Sequence, residues 1–538
     1  MSVLFSLFPP VGFGKHRLLL SSARRMAARV LLAFSFTLVL TGRLWADWPQ
    51  AAGPHHDYRV AGQAAGSFSV AAGRNVVWKS PLPNTGESTP VVSGNRVFVT
   101  CHAPVTSDAE AGSTILGICF DARDGKELWR REIPGTRVTD MASGFSDNTA
   151  ASPVTDGKHV CFVNVGGAIR TFDFEGKLAW KYDWVPFGRH HARQQEPILH
   201  NGNVILLKTI ADDLPAKATT KGGAKPLGRD RRYWTRLHAF DLKTGTIRWV
   251  AESATSVHSA SQWNRLPDGT PGLLTGRGGG HQPPEEPYGL SLLNADNGKT
   301  LWDLPISGYS AHENGVWQGR RGYCFVKMKH YQVDMLSGGL LNPVSLTDGV
   351  AVTRMVDNRY QREVNTKMPA GRKNRPITYH TNLLVGKYHY FRTFQGHFLG
   401  RIHVESGKVE YLQVPVQRVR ESGGKKLLWK EARKNEVRNN DGYIVYQDKR
   451  ATLSGWGHVS AASPVVVGDL LYMPTMIGMV YVLRWNSDQL DADSLVSISD
   501  LGPAGKTWSL SSLAFAEGRL FARTQKDLIC IGSPNDSE

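Results

Sequence analysis

The chain has 538 residues, of which 55 are Gly, 15 are Trp and 41% are hydrophobic, and its formal net charge at pH 7 is +17. The apolar content is ample for a core, while the many glycines and the scarcity of long amphipathic stretches favour short strands and turns over a helical protein. The basic excess is scattered except in residues 217–236 and 418–450, which we interpret as charged insertion loops. The composition therefore does not predict a nucleic-acid-binding protein.

Residues 24–46 have the organisation of an export signal. Arginines precede an apolar run over residues 30–40, and a cleavage site is predicted after Ala46. The pair Arg24-Arg25 permits a twin-arginine interpretation, but its flanking residues favour general secretion. The apolar run is too short to cross a bilayer as a helix, and no cysteine lies at the cleavage site for lipid attachment. We expect a soluble protein that is exported to the periplasm or the extracellular space and has no transmembrane anchor.

A sequence repeat with two halves, which we call the phrase, then recurs along nearly the whole chain. Its first half is a short apolar run opened by Ser-Pro or an equivalent, then a turn and a second apolar run. Its second half is an alternating strand that ends in Asp, then a Gly turn and a Trp; the clearest copy runs from Ser88 to Trp129. Each half is two strands about a tight turn, so each copy is predicted to be one four-stranded antiparallel unit. A repeat of roughly 40–70 residues built in this way is typical of a β-propeller.

The first half of the phrase occurs eight times. Its copies lie at Pro90, Pro153, Pro197, Gln262, Glu313, Thr381, Pro464 and Ser512. The chain stops after the inner strands of the eighth copy, whereas residues 75–78 form an orphan outer strand near its start. That strand would complete blade eight and close the ring, which removes exposed sheet edges. The sequence therefore predicts an all-β protein, an eight-bladed propeller of four-stranded antiparallel blades closed by an N-terminal strand.

The predicted domains follow from this repeat. They are residues 1–46 as signal peptide and upstream extension, 47–74 as an N-terminal extension, 75–532 as the propeller and 533–538 as a tail. The aromatic residues that follow the Gly turn in successive blades are Trp129, Trp180, Trp249 and Trp302, with Tyr411 at the matching place in blade six. Because the four tryptophans share one place in the repeat, we expect them to pack between neighbouring blades.

The Asp…Gly-Lys…Trp second half resembles the pyrroloquinoline-quinone-type propeller repeat over residues 75–532. That family includes periplasmic quinoprotein alcohol dehydrogenases and non-enzymatic scaffolds such as the outer-membrane assembly lipoprotein. The resemblance therefore implies the fold and leaves the activity open. The start at Trp48-Pro49-Gln50 is similar to a secreted subgroup of planctomycete-like bacteria.

The resemblance also sets expectations for a cofactor. Quinoprotein dehydrogenases hold the quinone between a Trp and a disulfide of adjacent cysteines, and they bind calcium through Glu, Asn and Asp. This chain has five cysteines, none adjacent, and Glu87, Asn148 and Glu196 match the calcium ligands in type only. Cys101 and Cys119 lie on successive strands of blade one, where either a disulfide or two buried thiols would fit. The cofactor is left unknown, with pyrroloquinoline quinone and calcium as an open alternative.

The candidate binding residues stand just before each first-half phrase, where the inner strands begin around one shared funnel. They are Glu87, Asn148, Gln195, Glu196, His258, His312, Glu313, His380, Asn382 and His458. Imidazole and carboxylate bind divalent metals and act as acids and bases near neutral pH, but no local spacing supports a metal. Polar residues that satisfy backbone groups and line a wet channel are the simpler interpretation, and a ligand site is the alternative.

Four further segments depart from the repeat. They are residues 211–236, 346–378 and 413–454, which are insertions, and the glycine-rich segment 276–288. The last lies between strands, not before a helix, so it is not a phosphate loop; we expect it to hang over the funnel and add His281 to the candidates. A short helix is expected at residues 425–434. Each segment is interpreted either as part of a binding face or as surface padding.

These features favour a binding role. We expect a ligand- or protein-binding scaffold whose partner is an unknown protein or small molecule, with no catalytic residue assigned. The alternative is a quinone-dependent dehydrogenase acting on an alcohol or sugar.

Overall fold

The structure is a computed structural model that describes residues 48–104, 110–140, 148–186, 196–209, 235–256, 259–277, 287–311, 314–368, 382–393, 396–421, 424–438, 442 and 462–532. Within these ranges the chain forms 37 strands and a single short 3-10 helix, Val70–Ala72. The strands build eight blades, each with a four-stranded antiparallel sheet. The predicted all-β, eight-bladed propeller is confirmed. In the part of the chain that is described, no helix is long and apolar enough to cross a membrane.

Blades one to four take their strands consecutively from the chain. Two strands precede them, β1 (Arg59–Val60) and β2 (Val76–Pro81). Blade one contains β3 (Val91–Ser93), β4 (Arg96–His102), β5 (Glu110–Asp121) and β6 (Glu127–Asp140). Blade two contains β7 (Val154–Thr155), β8 (His159–Asn164), β9 (Ala168–Asp173) and β10 (Leu178–Asp183). Blade three contains β11 (Ile198–His200), β12 (Asn203–Thr209), β13 (Thr235–Asp241) and β14 (Ile247–Val250), and blade four contains β15 (Gln262–Arg265), β16 (Pro271–Arg277), β17 (Gly289–Asn294) and β18 (Thr300–Pro305).

Two hairpins interrupt the second half of the ring. Blade five contains β19 (Val316–Gln318), β20 (Arg321–Val326), β21 (Lys329–Asp334) and β22 (Gly339–Ser345). The first hairpin, β23 (Asp348–Val356) with β24 (Arg359–Lys367), precedes blade six, which contains β25 (Asn382–Val385), β26 (Tyr388–Arg392), β27 (Phe398–His403) and β28 (Val409–Gln413). The second hairpin, β29 (Gln417–Glu421) with β30 (Gly424–Leu428), precedes blade seven, which contains β31 (Val465–Val467), β32 (Leu470–Pro474), β33 (Met479–Arg484) and β34 (Leu495–Asp500). Blade eight contains β35 (Ala514–Ala516), β36 (Arg519–Arg523), β37 (Asp527–Ile531) and β2.

Burial follows the position of a strand in its blade. The inner strand β3 is buried throughout, whereas in the outer strand β10 Trp180 is buried and its neighbours Leu178 and Lys181 are exposed. Strands covered on both faces read as continuous apolar runs, and a strand with one solvated face alternates. This difference explains why the two halves of the sequence repeat look different.

The ring closes through the N-terminal strand. β2 pairs antiparallel with β37, and Trp78 lies opposite Cys530 while Lys79 lies opposite Ile529. The outer strand of blade eight therefore comes from the start of the chain and its three inner strands from the end. The predicted closure is confirmed.

A tryptophan on the outer strand docks onto the next blade at five junctions. The pairs of tryptophan and turn glycine are Trp78 with Gly125, Trp129 with Gly176, Trp180 with Gly245, Trp249 with Gly298 and Trp302 with Gly338. These glycines have φ between +71° and +81°, and an added Cβ would lie only 2.5–2.9 Å from an indole carbon. Glycine is required there on both counts. The prediction that the four repeated tryptophans pack between blades is confirmed, and Trp78 extends the pattern to the closure of the ring.

The second hairpin corrects one expectation. The helix expected at residues 425–434 is wrong over its first part, because Gly424, with φ +109°, starts a strand that pairs back with Gln417–Glu421. Tyr411 does not take the place of a docking tryptophan. Its strand lacks the bulge that precedes Trp129, so its ring packs edge-on against Phe391 and its hydroxyl donates to the Leu346 carbonyl at 2.6 Å. The insertion at 211–236 lies almost wholly outside the described residues.

Candidate functional site

The inner strands of neighbouring blades are linked by side-chain oxygens where the strands begin. At this position seven of the eight blades carry a residue of a set that we name the inner-strand belt, and the matching position of blade six lies outside the described residues. The belt consists of Thr89, Ser152, Glu196, Ala260, Asn314, Ser463 and Ser512. The amide of one member donates to the side chain of the member in the next blade. The links are Ser463 to Ser512 (2.8 Å), Ser512 to Thr89 (3.2 Å), Thr89 to Ser152 (2.9 Å), Ser152 to Glu196 (3.4 Å) and Ala260 to Asn314 (3.1 Å).

This belt explains the Ser-Pro opening of the sequence repeat. A strand that begins at the axis has a backbone N–H with no partner in its own sheet, and a buried orphan amide is costly. The hydroxyl or carbonyl oxygen of the next blade accepts that proton, so the position favours Ser, Thr or Asn. The repeat contained this signal, because the polar residue recurs before the apolar run, but the sequence did not reveal that it acts across blades.

Glu196 is the one carboxylate in the belt. It is half-buried, and its Oε2 accepts the Ser152 amide. Burial raises the pKa of Glu196 to about 7, against the opposing effect of the Ser152 hydrogen bond. A carboxyl in this position exchanges its proton near neutral pH, which a hydroxyl at the same place cannot do.

A segment of the chain itself runs along the inner strands near their opposite ends. Residues 48–60, the axial segment, run along the inner strands close to where those strands end. Its hydrogen bonds to them join Trp48 with Val92 in blade one, Pro49 with Thr155 in blade two, Gln50 with Leu199 in blade three, Tyr58 with Val466 and Val60 with Gly468 in blade seven. β1 pairs parallel with β31, and the His56 ring lies 4.5 Å from that of Trp263 in blade four. The first part of the predicted N-terminal extension therefore contacts the inner strands, whereas Phe68 and Ser69 bond to Ser499 and Asp500 of the outer strand β34.

The axial segment also reaches the belt. Tyr58 is 5% exposed, and its hydroxyl forms a side-chain hydrogen bond with Ser463 and lies in the electrostatic field of Glu196. Burial and the Glu196 carboxylate together raise the pKa of Tyr58, which the Ser463 hydrogen bond opposes. A phenol that keeps its proton is a hydrogen-bond donor. Tyr58 thus supplies a donor near the belt, and Glu196 supplies a titratable acceptor within it.

Glu87 and Asn148 lie beside one another on blades one and two. The Glu87 amide donates to Thr149 Oγ1 at 3.0 Å, and both candidate side chains are buried. Asn148 Nδ2 has only a long contact of 3.4 Å to the Gly112 carbonyl, and its Oδ1 has no hydrogen-bond partner among the described residues. A buried amide oxygen without a partner among the described residues is an available hydrogen-bond acceptor.

A buried guanidinium holds the strand that carries Glu87. Arg523 is 1% exposed and donates to Ser88 Oγ at 3.1 Å and to the Thr100 carbonyl at 2.6 Å. Gly86 permits this approach, because an added Cβ would lie 2.8 Å from Arg523 Nη2. The charge lies at the end of β36 in blade eight and joins blades eight and one.

Of the remaining candidate residues, one is described by the structure and the others are not. Asn382 is buried, and its Oδ1 accepts from His389 Nε2 at 3.1 Å in the interior between blades five and six. Seven candidates lie outside the described residues: Gln195, His258, His281, His312, Glu313, His380 and His458. The predicted clustering of histidines at the funnel stays a prediction.

Comparison with known proteins gives a family match over part of the chain and several solved structures of similar fold. Residues 68–309 match the family model described as outer membrane protein assembly factor BamB. A quinohemoprotein alcohol dehydrogenase from Pseudomonas putida is 11% identical, with 92% of this chain and 81% of that chain covered and a TM-score of 0.50. One from Comamonas testosteroni is 12% identical over 92% and 82%, with a TM-score of 0.46, and BamB from Moraxella catarrhalis is 12% identical over 72% and 97%, with a TM-score of 0.34. The comparison with curated proteins finds no match.

Fold and repeat together define a closed eight-bladed propeller with tryptophan-docked blades. The family match over residues 68–309 supports the sequence resemblance to pyrroloquinoline-quinone-type repeats in that part of the chain. The similarity to the dehydrogenase from Pseudomonas putida concerns the fold alone at 11% identity. The resemblance to a planctomycete-type subgroup stays a prediction.

The described residues do not fit a quinone and calcium site. All five cysteines are free and buried, and Cys101 and Cys119 face opposite sides of the blade-one sheet, in different hydrophobic clusters. The disulfide alternative is therefore wrong for this pair, and burial raises the pKa of both thiols, to about 12 for Cys119. Within the described ranges, no three His, Cys, Asp or Glu side chains come together as metal ligands.

Proposed function

We propose that the protein is an exported binding scaffold that takes a small ligand or a protein segment at the funnel where the inner strands begin. The observation that carries the proposal is the axial segment, which hydrogen-bonds to inner strands of blades one, two, three and seven close to the ends of those strands. A ligand therefore reaches the axis from the side of Glu87, Asn148 and Glu196. A few polar groups that offer donors and acceptors at a concave surface are typical of a binding site.

Site-specific cross-linking tests this role. A photoreactive amino acid replaces Glu196 at the funnel, and a matched variant carries it at Leu178, which is 46% exposed on the outer strand of blade two. Cells that express the full chain are irradiated, and the adducts are identified by mass spectrometry. Adducts formed at position 196 and absent at position 178 are expected. Adducts at position 178 alone would move the binding face to the outer rim.

A metal or an acidic ligand at the predicted histidines gives opposite pH trends. A metal needs neutral imidazole and binds more weakly as the pH falls through about 6.5, whereas imidazolium attracts an anion. Calorimetric titration of zinc chloride and of sodium citrate on either side of that pH separates the two cases. The double variant His312→Ala with His380→Ala should abolish whichever binding is seen; binding retained in that variant would remove these histidines from the site.

The enzyme alternative has its own test. Holo-protein is purified from a host that is supplied with pyrroloquinoline quinone and calcium, and dye reduction is measured with alcohols and aldoses. A binding scaffold shows no calcium-dependent dye reduction, and turnover in this assay would replace our proposal.

Export rests on residues 24–46, with three arginines before a short apolar run. Fractionation of cells should recover the chain from the periplasm or the medium, and deletion of residues 24–46 should leave it in the cytoplasm. Equal distribution of the two forms would contradict export.

A further inference from the structure

One junction of the ring keeps the turn that receives a tryptophan but lacks the tryptophan. Between blades five and six the turn glycine is Gly407, with φ +71°, as at the five docked junctions. The side chain that faces it is Val344 of β22, whose Cγ2 would lie 3.1 Å from an added Cβ. A valine fills far less of the space that an indole ring occupies elsewhere.

The hydrogen-bond acceptor of the docking motif is also kept. At four docked junctions the indole Nε1 donates to the carbonyl of the residue that follows the third strand of the next blade: Trp78 to Ala122 (3.0 Å), Trp129 to Phe174 (2.8 Å), Trp180 to Leu242 (2.7 Å) and Trp302 to Met335 (2.8 Å). Val404 stands at this place in blade six. Its amide donates to the Lys387 carbonyl, as the Ala122 amide donates to Asn95. Within the described residues, no donor reaches the Val404 carbonyl.

The missing indole leaves a cavity. Its volume is about 520 Å³, and blade five contributes Tyr323, His330, Gln332 and Val344 to its wall while blade six contributes Val404 and Gly407. Arg321 and Glu405 stand at its rim, 58% and 63% exposed. This volume lies within the range of about 300–1,000 Å³ found for small-molecule sites. A close-packed interior does not leave such a gap by default.

A pair of histidines fixes the polarity of the inner wall. His330 Nε2 lies 3.0 Å from His389 Nδ1, and His389 Nε2 lies 3.1 Å from Asn382 Oδ1. Burial lowers the pKa of His330 to about 3 and that of His389 well below its usual value, so both rings are neutral. Because Asn382 Oδ1 only accepts, His389 donates from Nε2 and accepts at Nδ1 from His330. That leaves Nδ1 of His330, on a ring that lines the cavity, as an acceptor.

We propose that the junction between blades five and six is a binding site for a planar aromatic ring that carries an N–H or O–H donor. The ring packs beside Val344 next to the Gly407 turn and donates to the Val404 carbonyl, as the docked indoles donate at their own junctions. The same chemistry has two sources, a free heteroaromatic molecule and the aromatic side chain of a bound peptide. This site is separate from the funnel, so it does not depend on the proposed function there.

Indole and N-methylindole test the site on the wild-type chain. Ligand-observed NMR titration should detect millimolar-range binding of indole, and N-methylindole should bind roughly five-fold more weakly, since it lacks one net hydrogen bond. No binding of indole would overturn the proposal, and equal binding of the two probes would overturn the donor requirement. N-acetyltryptophanamide and the tripeptide Gly-Trp-Gly then distinguish the sources, because a peptide site binds the tripeptide more tightly than indole.

A filling variant gives the second measurement. Val344→Trp places the missing indole in the cavity, so it should abolish indole binding and raise the melting temperature. The matched control is Leu341→Trp, which lies on the same strand, is 43% exposed and is not part of the cavity wall; it should change neither. Indole binding retained by a folded Val344→Trp chain would overturn the proposal. If that variant does not fold, the comparison of the two probes on the wild type decides.

Discussion

The backbones of Trp48 and Val92 exchange two hydrogen bonds, from the Trp48 amide to the Val92 carbonyl at 2.8 Å and in the reverse direction at 2.9 Å. This pairing adds the chain before β2 to the inner strand of blade one. The axial segment then continues to blades two, three, four and seven, so one short stretch of chain touches most of the ring. Each blade otherwise contacts mainly its two neighbours, so the axial segment is an element that several blades share.

Truncation of Trp48 tests this central role. The side chain is 0% exposed and packs on Gly53, so Trp48→Ala should cost about 3–5 kcal/mol in the free energy of unfolding. Denaturant unfolding measures the change, with Leu178→Ala as a control that should stay within about 0.5 kcal/mol. A cost of the same size in both variants would mean that the axial segment is a loosely held tail.

Deletion of residues 47–80 removes both the axial segment and β2. Blade eight then loses its outer strand, and β37 is left with an open edge. We expect no cooperative thermal transition in that chain, followed by circular dichroism and calorimetry. An unchanged melting transition would contradict closure of the ring by the N-terminal strand.

Trp180→Ala tests the docking motif. The indole lies on Gly245 and donates to the Leu242 carbonyl, so its loss empties the junction between blades two and three. The expected cost is about 3–5 kcal/mol, with no effect on cross-linking at position 196. Unchanged stability together with loss of cross-linking would mean that the residue serves a ligand and not the fold.

The fold could be predicted because its determinants are local in the sequence. Each blade carries its own strand starts, its Gly turn and its outer Trp, and the orphan strand at residues 75–78 could be matched to the incomplete last blade. The axial segment could not be found in this way, because Trp48 and Tyr58 contact residues far along the chain and carry no repeat. In the sequence the belt corresponds only to a recurring Ser-Pro dipeptide. Its role could not be predicted, because the hydrogen-bond acceptor of each amide lies in the next blade.

The junction between blades six and seven shows why an aligned residue can mislead. Tyr411 matches the docking tryptophans in sequence, yet it is Glu410, one residue earlier, that forms ion pairs with Arg401 and Arg362. Its Oε2 lies 2.7 Å from Arg401, which is fully buried, and its Oε1 lies 2.6 Å from Arg362. Without the bulge, every side chain beyond that point of the strand points to the opposite face of the sheet. The ion pairs of Glu410 therefore occur at the junction where a docking indole would otherwise be expected.

Glu410→Gln tests that network. Burial acts to raise the pKa of Glu410, but Arg401, Arg362 and Lys408 outweigh it and the pKa is lowered. Removal of the charge leaves Arg401 buried without its counterion, which should cost about 3–5 kcal/mol at neutral pH. A group with a lowered pKa stabilises the fold above its ordinary value of 4.5 and loses that contribution as the pH falls, so wild type and variant should converge in acid. The control Glu363→Gln removes an exposed partner of Arg354 and should cost less than about 1 kcal/mol; an equal cost would contradict the network.

Glu196 should have the opposite pH dependence. Its folded pKa of about 7 lies above the ordinary 4.5, so the folded chain holds this proton more tightly than the unfolded chain does. The contribution to stability is complete below pH 4.5 and is lost as the pH rises through 7. At about 1.4 kcal/mol for each pKa unit, the loss amounts to about 3 kcal/mol.

Glu196→Gln keeps an acceptor for the Ser152 amide but does not titrate, so it should gain stability relative to wild type as the pH rises through 7 and match it in acid. Glu196→Ala removes the acceptor as well and should be less stable than Glu196→Gln at every pH. Unfolding free energies measured across this range decide the matter: parallel curves for wild type and Glu196→Gln would show that the belt carboxyl does not hold a proton at neutral pH.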